Sequence, residues 1–211
     1  MMDLPSFLIR ELEKPLPGKL AHDKMLRTKR PTPIEAHQQQ LNPRESAVVV
    51  LLYPIGKVWN TVLILRQGYE GVHSGQISFP GGKSEKDDSS LEFTALRELH
   101  EELGVDPAKV EMLGQLSSLY IPPSNFIVQP FVGITTSKPS FVPDQREVDQ
   151  VIETPVHRFF EPDVIKNTDL YLKRYNTSLN VHYFNIQDHM VWGATAMMIS
   201  EFREITKPLF S

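Results

Sequence analysis

Three glutamates stand close together in Arg97-Glu98-Leu99-His100-Glu101-Glu102-Leu103-Gly104-Val105. On a helix at about 100° per residue, positions i, i+3 and i+4 share one shoulder. With Leu91 set at zero, Leu91, Ala95, Leu99 and Leu103 form an apolar stripe over roughly 0–120°. Glu98 and Glu102 then fall near about −20° and +20°, at the edge of that stripe, and Glu101 near about −80°. Like charges at these spacings repel by about a few tenths of a kcal/mol each. They also sit in the last turn, where the helix dipole disfavours anions. A divalent cation would offset both costs, and clustered carboxylate oxygens are the ligands that Mg²⁺ or Mn²⁺ prefers. A solvated acidic helix face is the competing reading, and the residues alone leave both open.

Three other matches fail. Gly82-Lys83-Ser84 resembles the end of a phosphate-binding loop, but the first glycine of that motif would fall on Ile77. His100-Glu101 resembles the start of a zinc-protease helix, but the second His would fall on Gly104. Asn176-Thr177-Ser178 is a glycosylation sequon with no secretory signal to give it meaning.

The carboxylates need a scaffold. Ala47 to Tyr53 is nearly uniformly apolar and β-branched, as a strand buried on both faces would be. Val58 to Leu65 reads as the returning strand after the turn Pro54-Ile55-Gly56-Lys57. Residues 68–82 read as a glycine-rich loop with a short strand near 76–79. The glutamate helix is expected from Asp88 or Ser89 to Leu103, with Asp88 as a candidate N-cap and Gly104 as the stop. Further strands are expected at 110–119, 126–134, 147–154 and 181–186, and a last helix at 193–205. Residues 1–44 carry a short helix near 5–14 and then repeated prolines. They form an N-terminal extension that packs on the main domain, packs on a second copy, or stays mobile; 45–211 is the main domain. Strands, helix, strands, helix is an α/β order with a mixed sheet covered on both sides.

Composition narrows the function. The chain has 211 residues, 22 Lys plus Arg and 26 Asp plus Glu, for a net charge of −4, which gives no global footprint for nucleic acid or an anionic membrane. The absence of cysteine removes thiol nucleophiles and Cys-based zinc sites. No apolar run approaches the roughly 20 residues of a membrane span, and no secretory signal opens the chain. The expected address is the cytoplasm.

Gly81-Gly82-Lys83 leading to Arg97-Glu98 and Glu101-Glu102-Leu103-Gly104-Val105 resembles the Nudix box, a pyrophosphohydrolase motif. Gly82 to Arg97 is one residue longer than in the general box, and Asp88 stands where that box has its first Glu. The longer spacing is similar to the coenzyme A pyrophosphatase branch. So are Leu65-Arg66 with His73-Ser74-Gly75-Gln76-Ile77-Ser78-Phe79-Pro80-Gly81-Gly82, Pro122-Pro123-Ser124-Asn125-Phe126, Val128-Gln129-Pro130-Phe131 and Trp192-Gly193-Ala194-Thr195.

The resemblance implies a Nudix α/β/α sandwich and hydrolysis of a diphosphate dependent on Mg²⁺ or Mn²⁺. It implies metal at Glu98, Glu101 and Glu102, Arg97 orienting a glutamate, and an added carboxylate, Glu147, reaching the site. Arg66, Gly75, Gln76, Gly81, Gly82 and Lys83 are the expected substrate contacts. The implied substrate is coenzyme A, cut to 3′,5′-ADP and 4′-phosphopantetheine. ADP-ribose, a dinucleotide, or a non-catalytic sensing role are the alternatives, and a homodimer is a candidate assembly. Gly71 stands where the branch carries an Arg, which makes Arg66 the first candidate cation for the 3′-phosphate, ahead of Lys57 and Lys83.

Overall fold

The computed structural model describes residues 3–26, 30–67, 76–172 and 176–210. Helices are α1 (Leu4–Leu12), α2 (Lys19–His22), α3 (Pro33–Gln38), α4 (Leu91–Leu103) and α5 (Gly193–Phe210). Strands are β1 (Arg44–Ile55), β2 (Val58–Arg66), β3 (Ile77–Ser78), β4 (Gly81–Lys83), β5 (Glu111–Gln115), β6 (Leu119–Ile121), β7 (Phe126–Ile134), β8 (Val148–Pro155), β9 (Ile165–Leu172), β10 (Thr177–Ile186) and β11 (His189–Val191).

β1 is the spine. Ala47, Val49, Leu51 and Tyr53 join Ala95, Leu99 and Leu103 of α4 in one apolar cluster. Val48, Val50 and Leu52 join Met198, Ile199 and Phe202 of α5 in the other. The two-residue alternation of a strand thus sends successive side chains into two cores, which explains the unbroken apolar run. β1 runs parallel to β7 along Arg44–Leu52. Its opposite edge is divided: β4 pairs antiparallel with Ser46, Ala47 and Val48, and β2 pairs antiparallel from Leu52 to Ile55. β2 also carries β8 and β3. The result is a mixed sheet between α4 on one face and α1 and α5 on the other. β9, β10 and β11 form a separate antiparallel sheet whose Phe184, Ile186 and Val191 enter the α5-side core.

The N-terminal segment packs on this body. Leu4, Leu8 and Met25 belong to the α5-side core. Buried Glu201 of α5 accepts from the Gly18 N–H at 3.0 Å, the Ser117 N–H at 3.1 Å and the Ser117 hydroxyl at 2.6 Å, and pairs with His22 at 3.0 Å.

Several expected elements differ. The single strand expected over 110–119 is two, β5 and β6, because Ser117 leaves the ladder to donate to Glu201. Residues 81–83, read as loop, form β4. β9 was absent from the sequence reading, since Asn167 and Asp169 disfavour a strand. Among the described residues no helix is long and apolar enough to cross a membrane.

Candidate active site

α4 begins at Ser90, whose hydroxyl accepts from the Phe93 N–H at 3.1 Å, and ends at Gly104 in the left-handed region. Asp88, expected as a possible N-cap, is therefore free for another task. It binds Arg97, with Nε donating to Oδ1 at 2.9 Å and Nη2 to Oδ2 at 3.0 Å. Asp88 also accepts from the Glu85 N–H at 2.9 Å and the Thr94 hydroxyl at 2.8 Å. These charge-assisted bonds, the Arg97 fork foremost, hold its carboxyl well below the usual carboxylate range.

Arg97 reaches every part of the loop–helix. Nη1 lies 3.0 Å from Glu98 and 2.7 Å from Glu101, and Nη2 donates to the Lys83 carbonyl at 3.1 Å. The three glutamates are graded as their helical angles predict: side-chain exposure is 0% at Glu102, 14% at Glu98 and 53% at Glu101. Glu98 and Glu102 thus border the core, whereas Glu101 stands in solvent against Arg97.

Two glycines admit the glutamates. Gly81 has φ +148° and lies so close to Ala47 and Val48 of β1 that a Cβ there would collide with backbone. Its N–H donates to Glu102 Oε2 at 2.8 Å. A Cβ on Gly82 would sit on the Glu98 carboxylate. The missing side chain of Gly82 is the space that Glu98 occupies.

Glu102 Oε1 faces Arg66 Nη1 at 2.8 Å, an ion-pair distance without the alignment of a hydrogen bond. Burial pushes the Glu102 carboxyl up to about 7, with Glu98 and Glu147 adding to the rise while Arg66 and the Gly81 N–H oppose it. Glu98 is also raised, chiefly by burial. Backbone hydrogen bonds tie the loop that carries Glu147 to the C-terminal end of α4. The Asp144 N–H donates to the Glu102 carbonyl at 3.0 Å, and the Glu147 N–H donates to the Asp144 carbonyl at 3.0 Å. Glu147 itself is exposed.

Other expected contacts are placed as follows. Arg66, expected as a substrate contact, is engaged within the protein: Nε donates to Ser78 Oγ at 3.1 Å, Nη2 donates to the Gly81 carbonyl, and Nη1 faces Glu102. Lys83 is exposed beside Gly82. Gln76 accepts the Arg66 N–H through its backbone carbonyl at 3.1 Å. Gly75, with Gly71 and His73, lies outside the described residues. His100 is exposed on the far side of α4. The partners of Arg66 escaped the sequence reading because the chain separates Arg66 from Glu102 by a loop and most of a helix.

The donor set suits a hard divalent cation: all oxygen, two carboxylates partly stripped of water, and one buried oxygen short of a hydrogen bond. It is not a finished cage. Among the described residues no three carboxylate or imidazole groups converge closely enough to hold an ion, since Glu101 is drawn out to Arg97. The three-glutamate cluster expected from helical spacing is thus two inner glutamates and one outer.

Residues 43–177 match the NUDIX domain. Nudix hydrolase 15, mitochondrial, of Arabidopsis thaliana is 29% identical over 182 residues, covering 82% of this chain and 62% of that protein. This chain therefore spans less than two thirds of that relative. The uncharacterized Nudix hydrolase NudL of Yersinia pestis (strain Pestoides F) is 29% identical over 175 residues, covering 82% of this chain and 86% of the relative. In fold, the chain is similar to a Nudix hydrolase from M. smegmatis, RenU, with a TM-score of 0.56 at 15% identity over 79% of this chain and 88% of that one. The matched domain takes in β1, the Gly81–Gly82 loop, α4 and the Glu147 loop, and the chain belongs to the Nudix family.

Proposed function

We propose that this Nudix hydrolase is a divalent-metal-dependent pyrophosphohydrolase of coenzyme A or its derivatives, releasing 3′,5′-ADP and 4′-phosphopantetheine. The observation that carries the reaction class is the buried Glu102 carboxylate, fixed by the Gly81 N–H beside Glu98, with Oε1 paired to Arg66 but without a hydrogen bond. Glu98 and Glu102, with Glu101 turning inward, would hold Mg²⁺ or Mn²⁺. When bound, the ion supplies charge neutralisation for a diphosphate and acidifies water.

The protein's own residues do the rest. Arg97, locked by Asp88, fixes the angle of Glu98. Glu147, exposed on the loop whose Asp144 N–H bonds the Glu102 carbonyl, would accept a proton from the attacking water. Lys83, exposed beside Gly82, offers a cation to a substrate phosphate. The full set Arg97, Glu98, Glu101 and Glu102 favours catalysis over ligand sensing, because a sensor has no use for all four.

The choice of coenzyme A rests on the resemblance carried by Leu65-Arg66, His73 to Gly82, Pro122 to Phe126, Val128 to Phe131 and Trp192 to Thr195. The test is a panel of coenzyme A, dephospho-coenzyme A, ADP-ribose and a diadenosine polyphosphate with Mg²⁺ or Mn²⁺, products resolved by mass. Release of 3′,5′-ADP from coenzyme A is the expected result. Ready turnover of ADP-ribose with coenzyme A untouched would overturn the substrate assignment.

A further inference from the structure

We propose that Arg66 is a stand-in counter-ion that competes with the divalent cation for Oε1 of Glu102. This rests on the reading that Glu98, Glu101 and Glu102 hold that cation. A fully buried carboxylate without a counter-charge is strongly disfavoured, even after relaxation. Glu102 meets that demand unequally. Oε2 accepts a well-formed bond from the Gly81 N–H at 2.8 Å, whereas Oε1 has only the charge of Arg66 Nη1 at 2.8 Å, off the line of a hydrogen bond. Oε1 is thus neutralised but not saturated, and its lone pairs stay open to a ligand that binds them directly.

Arg66 can give up this contact without losing its place. Nε is tied to Ser78 Oγ at 3.1 Å and Nη2 to the Gly81 carbonyl. Both ties are to β3 and β4, and neither uses Oε1 of Glu102. The other arginine of the site cannot substitute, because Arg97 is spent on Asp88, Glu98 and Glu101. Arg66 is therefore a positioning residue. It keeps Glu102 in a defined pose before metal arrives, and its positive charge then opposes the incoming cation.

The sign of this coupling is testable without turnover. Mn²⁺ affinity is measured by electron paramagnetic resonance of the free ion at pH 8.5, on wild type, Arg66→Gln and Arg66→Lys. Arg66→Gln should bind Mn²⁺ about tenfold more tightly, as removal of one neighbouring like charge predicts, and Arg66→Lys should stay near wild type. In parallel, metal-free Arg66→Gln should melt below wild type, with a larger upward shift on adding Mn²⁺. Weaker binding in Arg66→Gln would show that the arginine merely orients the ligand, and unchanged binding would show no competition; either overturns the proposal. A cooperative melt of Arg66→Gln confirms that a folded protein is compared, and Arg66→Lys binding tenfold tighter would overturn the charge argument independently. Wild type that binds no Mn²⁺ would overturn the metal reading itself, a different failure from wild type that binds while Arg66→Gln gains nothing.

Discussion

Arg97 grips Asp88 through two parallel hydrogen bonds, 2.9 Å and 3.0 Å, across the loop that joins β4 to α4. The fork uses the planar guanidinium in the way lysine cannot. Its effect is to turn the loop–helix into one rigid unit, because the same arginine also holds Glu98, Glu101 and the Lys83 carbonyl.

Asp88→Ala should cost about 2–3 kcal/mol of stability by leaving a half-buried guanidinium and the Glu85 N–H without their acceptor. The same variant should lower kcat by about tenfold or more through loss of positioning. Urea unfolding and steady-state kinetics check the two effects separately, and wild-type values in both would remove Asp88 from the unit.

Glu102→Gln should lower kcat by at least about 10²-fold with the fold kept, since it removes a proposed metal ligand. The check is turnover at saturating Mg²⁺ beside a circular dichroism spectrum. Near-wild-type turnover would end the assignment of Glu102.

Gly82→Ala would set a methyl group on the Glu98 carboxylate. The clash is with the far end of the flexible Glu98 side chain, which can swing aside, so stability should change by under about 1 kcal/mol while kcat falls by about tenfold or more. A loss of stability with activity intact would show that the glycine serves the turn alone.

Glu147→Gln should reduce kcat by about tenfold and remove the acidic limb of the pH–rate profile if this carboxylate is the base. An unchanged profile takes Glu147 out of the chemistry.

Glu201 should make the fold sensitive to acid. Burial pushes its carboxyl up, but bonds from His22, Ser117 and Gly18 outweigh burial and hold it below the ordinary 4.5. A folded value below the unfolded one contributes stability that is complete above about pH 4.5 and is lost as the pH falls through the folded value. Glu201→Ala should cost roughly 2–4 kcal/mol at pH 7 and flatten the stability profile below pH 4.5. The measurement is thermal unfolding from pH 3 to pH 7, and a wild-type profile in the variant would contradict it.

Much of this was legible in the residues themselves. The uniform run of β1 meant burial on both faces, because each strand alternates between two sides and every side here is apolar. The 3.6-residue period of α4 separates Glu98 and Glu102, at the edge of the apolar stripe, from the more outward Glu101, since angle around a helix is a local property. The capping pair Thr32 and Glu35 before α3 was equally local: the Thr32 hydroxyl accepts from the Glu35 N–H at 3.2 Å. The sequence reading passed over it.

What only the tertiary structure decided is which distant groups meet. Nothing near Glu201 in the chain marks it as buried, yet α5 carries it between Gly18, His22 and Ser117. Asp88 looked like a cap because capping needs only neighbours, and it became the anchor of Arg97 because the loop folds back on α4. Arg66 stands at a strand end as an expected phosphate contact, and the antiparallel return of β3 and β4 sets Ser78, Gly81 and Glu102 around it. Periodicity and propensity act over a few residues, so β1, α4 with its faces and the box were legible in the sequence, whereas β4, the β5–β6 break and β9 were not. Charge pairing acts through space, so the partners of Arg66, Asp88 and Glu201 were decided only when the sheet brought them together.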